Sequence, residues 1–131
     1  MNFIKSLAFA AVLFFANFVN AQSVSDTWPA IKTFHGVMSQ TFHPSEEGNL
    51  APIKARSGEM VEKTETLLKS DIPVEFRTAS ILGSAERIQI QSKALHKMVL
   101  SSSSDADITA KLIELHDTFH EIVGLCKNEK H

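Results

Sequence analysis

His116 and His120 stand four residues apart in LHDTFHEI, residues 115–122, and FHGVMSQTFH, residues 34–43, adds His35, Met38 and His43. Imidazole nitrogen suits copper, zinc, nickel and cobalt, and a soft thioether suits Cu(I). Positions i and i+4 of a helix project side by side. One helix can therefore offer two imidazoles to one ion, and a third from a neighbouring helix can complete a three-nitrogen set. Asp117 points about 100° away from His116 and stays outside that set, supporting a neighbouring group or facing water.

Four stretches of helical spacing must position these groups. In the first, Trp28, Ile31, Phe34/His35, Met38 and Phe42 recur at three- and four-residue steps, with Ser25 or Asp26 as the expected cap, Pro29 in the first turn and Pro44 as the expected end. HPSEEGN turns the chain. A second helix then starts at Gly48 or Asn49, with Ile53, Ser57, Met60, Thr64 and Leu67/Leu68 facing inward. SDIPVEF breaks the chain at Pro73 and is too short and Pro-broken to read as a strand. The third helix runs from near Thr78 to Leu100, with Ile81, Ala85, Ile88, Ser92, Leu95 and Val99 inside. After SSSSDAD, Ser104 and Asp107 mark the start of a fourth helix whose Ile108, Leu112, Leu115, Phe119, Ile122 and Cys126 form one stripe. Four amphipathic helices with short connections predict an all-α fold, an antiparallel up-and-down four-helix bundle.

In such a bundle His43 lies level with residue 106 or so, and equal rise along both helices brings His35 to the level of His116 and His120. The Ile31/Met38/Phe42 stripe takes His35 in as a core position, while His116 and His120 fall at the edge of the Leu112/Leu115/Phe119 stripe. The expected metal site is therefore His35, His116 and His120, with Met38 as an added thioether if the ion is copper. Taken singly, each histidine reads as a core or surface residue; their coincidence at one level favours the site. His43 lies about 12 Å along the axis from His35, too far to share one ion. A second site can join it to Glu47 or to His96, although an imidazole near a helix C-terminus also simply favours the dipole. Met60 and Met98 read as core filling, and Cys126 as a small apolar core residue.

Residues 1–21 have the build of a signal peptide, with Lys5 before an apolar run from Leu7 to Val19 and Val-Asn-Ala before Gln22. That run falls short of the roughly 20 residues that span a bilayer, and no cysteine stands at the expected cut. The expected product, residues 22–131, is one exported domain, periplasmic or secreted, with no stable membrane insertion. Phe34, Phe42, Phe76, Phe119 and Trp28 are its aromatic residues, so aliphatics must build most of the core. The 13 Lys and Arg against 15 Asp and Glu form no basic run, which argues against nucleic-acid binding. The single cysteine forbids an intramolecular disulfide.

An exported four-helix pattern with Met38 and His35 on helix one and His116 and His120 on helix four resembles the small bundles that include the b-type and c′-type cytochromes and periplasmic heavy-metal-binding proteins. Covalent c′-type attachment needs Cys-x-x-Cys-His, which Cys126 alone cannot supply. Likeness to the b-type implies Met38 and His116 or His120 as axial ligands of haem b; His35 is not required by that pattern, and the mature chain is sparse in aromatic lining for a porphyrin. The function expected is a non-enzymatic exported protein that sequesters, senses or delivers a transition metal ion, copper or zinc before nickel or cobalt, with a metal transporter or sensor protein as partner. A haem b electron-transfer bundle and a structural or protein-interaction bundle without cofactor are the alternatives. No Ser-His-Asp order or paired carboxylates argue for catalysis.

Overall fold

The computed structural model describes residues 24–129. The expected signal peptide and His131 lie outside the described residues. The fold is all-α: α1 (Pro29–Glu46), α2 (Ala51–Lys69), α3 (Ala79–Leu100) and α4 (Asp105–Glu129), with a 3₁₀ turn at Val74–Phe76 and no strand among the described residues.

The helix ends follow local chemistry. Ser25 and Asp26 do not cap α1: they belong to a preceding helical turn, from which the Val24 carbonyl accepts a bond from the Trp28 N–H at 2.9 Å. Trp28 takes the N-cap position instead, with no side-chain cap bond, and Pro29 follows where a missing N–H costs nothing. Nor does Pro44 end the helix. It lies inside the last turn, where only one intrahelical bond is lost, and the helix closes two residues later. The closing motif bonds the Gly48 N–H to Ser45 and the Asn49 N–H to Pro44, each at 3.0 Å, with Gly48 at φ 84°. Thr78 caps α3 by accepting from the Ile81 N–H at 3.2 Å, and the Ser104 hydroxyl accepts from the Asp107 N–H at 3.1 Å.

The expected inner faces of α2, α3 and α4 are buried almost residue for residue, from Ile53 to Leu67, Ile81 to Leu95 and Ile108 to Cys126. Consecutive helices pack closely, and α1 meets α4 at fewer backbone approaches. Trp28 anchors the start of α1 to the end of α2: its indole N–H donates to Ser70 at 2.9 Å and its ring lies 6.1 Å from Phe76. Along the same pair of helices Arg56 donates to Gln40 at 2.6 Å. Between α3 and α4, Gln91 donates to Glu114 at 3.1 Å and Arg87 to Glu121 at 3.0 Å. Full burial of each large apolar side chain contributes about 1.5–3 kcal/mol, so Trp28, Phe34 and Phe76, all fully buried, are major contributors.

Two glycines test this account with opposite signs. An added Cβ meets nothing within 4 Å at either Gly36 or Gly48, so backbone conformation alone decides the outcome. Gly48→Ala must hold a left-handed residue and is expected to lower stability by about 1–2 kcal/mol. Gly36→Ala, inside α1, is expected to raise it by about 0.5–1 kcal/mol. Urea denaturation of both variants measures the difference.

Candidate functional site

The histidines of α4 lie where the helix turns from core to solvent. Taking the direction of Leu112, Leu115 and Phe119 as inward, His116 sits about 70° and His120 about 110° round the helix; correspondingly His116 is half-buried and His120 exposed. Their Nε2 atoms are 3.1 Å apart and their rings nearly perpendicular, at 78°. Phe42 of α1 covers the other face of His116, stacked at 3.8 Å between centroids and 6° between planes.

That nitrogen separation has a chemical meaning. Two imidazole nitrogens each about 2.0–2.1 Å from one ion and 3.1 Å from one another subtend roughly 100° at the metal, between the square or octahedral angle and the tetrahedral one. As the pair stands, one Nε2–H donates to the other ring's bare nitrogen. For both Nε2 atoms to ligate one ion, the donating ring would shift its proton to its own Nδ1, with no net proton released from the neutral pair.

The site's electrostatics already favour the neutral ring. Burial is the main cause holding His116 below the ordinary histidine pKa, and the neighbouring His120 and His43 push the same way. Asp117 and Glu46 oppose them without reversing the direction.

His35 is exposed, not a core residue as the Ile31/Met38/Phe42 spacing suggested. The buried face of α1 is Ile31, Phe34, Val37, Met38, Thr41 and Ser45. Its centre lies about 100° from His35. Val37 and Thr41, rather than Phe42, define the inward direction. His35 instead lays its ring flat on Phe119, with centroids 5.3 Å apart and planes within 4°. It shares with His120 the wall of a half-open groove of about 200 Å³. Met38 is 1% exposed and belongs to the core cluster.

The residues of the second expected site are not brought together. His43 turns to Glu46, Nδ1 to Oε1 at 3.1 Å, not to Glu47, which is exposed. His96 is held by Ser57 of α2 at 2.8 Å, over Gly58, where a Cβ would lie 3.4 Å from its Cε1. Among the described residues no three side chains of His, Cys, Asp or Glu form a group able to hold a metal ion. What the fold does assemble is the His116–His120 pair, with His35 one groove away. Sequence spacing did not reveal Phe42 as the lid on His116; the i, i+3 step from His43 to Glu46 was the signal for that pair.

Haem b does not fit the groove beside His35 and His120, whose roughly 200 Å³ is below the 300–1,000 Å³ typical of pockets for larger ligands. The core position of Met38 places that thioether apart from the groove's lining. The chain matches no family model, and no curated protein or solved structure is significantly similar to it.

The pH response follows from the direction of the His116 shift. Its folded pKa is below the unfolded value of about 6.5, so the unfolded chain takes up the proton first. Its contribution to stability is complete above that value and lost as pH falls through the folded pKa. Glu59 and Glu114, also shifted downward, titrate below their ordinary 4.5 and do not contribute in this window. Between about pH 7.5 and 5.5 the urea midpoint of the wild type should fall, and that of His116→Gln should fall less. Equal slopes would remove His116 from the account.

Proposed function

We propose that this chain is an exported, non-enzymatic four-helix-bundle protein that binds one transition-metal ion, copper or zinc, to sequester it or pass it to a transporter or sensor. The 3.1 Å between the Nε2 atoms of His116 and His120 carries the reading, because that spacing spans a single ion without backbone movement. The antiparallel up-and-down arrangement is supported by contacts that run in opposite senses along paired helices. Trp28 meets Ser70 while Gln40 meets Arg56, and Arg87 meets Glu121 while Gln91 meets Glu114. No helix among the described residues is long and apolar enough to cross a membrane, which accords with export of the whole domain.

In this reading His116 and His120 are the anchoring ligands and His35 is the third, swinging off Phe119. Leaving that stack costs about 0.5–1.5 kcal/mol, within what one added metal–imidazole bond can offset. Met38 stays in the core. The cofactor-free interaction bundle draws its support from a separate apolar groove of about 500 Å³ beside Ile90, itself 68% exposed.

Thermal melts with and without Zn²⁺ or Cu²⁺ distinguish the readings. An ion at about 100 times its dissociation constant stabilises the native state by roughly 2.7 kcal/mol, a rise of several degrees in a domain of this size. His116→Ala and His120→Ala should each abolish the rise, His35→Ala should weaken it, and Met38→Leu should leave it unchanged. Affinity should fall steeply below about pH 6.5, because a ligating imidazole must be neutral. A rise that survives loss of both His116 and His120 refutes the site, and no rise with either metal passes the lead to the interaction bundle.

A further inference from the structure

The groove shared by His35 and His120 has a chemical character of its own. Its floor is apolar, built from Ile31 at the start of α1 and Phe119 and Val123 of α4. Its rim carries three nitrogen groups, the imidazoles of His35 and His120 and the ammonium of Lys127, and none of the residues lining it is acidic. Among the described residues neither the His35 ring nor the Lys127 ammonium has a hydrogen-bond or ion-pair partner. By contrast, the other α4 lysine side chain, Lys111, is paired with Glu114 at 3.0 Å.

We infer that this groove binds a small organic anion, a carboxylate on a compact apolar or aromatic body. The carboxylate sits at the rim by Lys127, and the body lies on Phe119 and Val123. Three features favour that class. Volume comes first: about 200 Å³ admits a molecule on the order of ten non-hydrogen atoms, smaller than the ligands that fill pockets of 300–1,000 Å³. Polarity comes second, since one ammonium and no carboxylate above an apolar floor favour an anion. Shape comes third. The His35 ring, parallel to Phe119, makes a flat wall against which a planar group packs.

The groove shares His35 and His120 with the proposed metal site, so the test is run in chelator, where anion binding and metal binding fail independently. Benzoate is titrated into the uniformly ¹⁵N-labelled protein with EDTA present, and benzamide, its neutral counterpart in shape, serves as control. The expected dissociation constant is on the order of 1–10 mM, ordinary for a ligand so small. Saturable amide shifts should cluster around Ile31, Phe119, Val123 and Lys127. Benzamide, and benzoate with Lys127→Gln, should each bind about threefold or more weakly, the scale of a partly exposed charge contact. Val123→Phe, which fills the floor, should abolish the shifts while leaving the amide spectrum elsewhere folded. Shifts spread over scattered lysines, equal affinity for benzamide, indifference to Lys127→Gln, or no saturable shift would each overturn it.

Discussion

A run of ring contacts joins α1 to α4, and the candidate site depends on it. Phe34 meets Phe119 at 5.5 Å, His35 lies on Phe119, Phe42 lies on His116, and His116 leans on His120 at 4.4 Å. Backbone approach is sparser along this seam than along α1/α2, α2/α3 or α3/α4. A wider seam leaves a groove, and the groove brings imidazoles to water without removing them from the apolar wall behind.

Position on that seam determines what each imidazole can do. A histidine taken into the core would need a permanent partner, of the kind the half-buried His96 finds in Ser57. A histidine fully in water would keep its ordinary protonation and hold no fixed direction. His116 falls between these limits: one face is covered by Phe42, and its Nε2 is directed at a second ring nitrogen. Partial burial depresses its pKa, and the stack fixes its plane, so the neutral, oriented ring that a metal requires is already favoured at neutral pH.

Much of this was legible in the residues. The stripe of Ile108, Leu112, Leu115, Phe119, Ile122 and Cys126 is buried throughout, because a strict three-and-four spacing leaves one possible inward direction. The same spacing put His116 and His120 side by side at its edge. Helix α1 was harder to read, since apolar or aromatic residues occur round more than half its circumference. Phe42, only half-buried, pulled the inferred face toward His35, whereas Val37 and Thr41 carry the true one. Thr41 is hidden from a hydropathy reading because its hydroxyl is satisfied within the helix, donating to the Val37 carbonyl at 2.8 Å. The end of α1 was misjudged for a related reason: Pro44 signals termination, but a left-handed glycine four residues on determines where the carbonyls are closed off.

The five described histidines also show how little residue type says without a partner. His43 has a carboxylate beside it and sits in the last turn of α1, where a cation is favoured by the helix dipole. His96 has a hydroxyl, and His35 an aromatic face. Each of these arrangements satisfies an imidazole at little cost and needs no ligand to explain it. His116 and His120 differ because each one's polar partner is another imidazole. A neutral pair can share one proton in a hydrogen bond, but two protonated rings at 3.1 Å repel. In the proposed reading a divalent ion bound by both lone pairs would take the place of that shared proton, which is why the pair, rather than the number of histidines, carries the proposal.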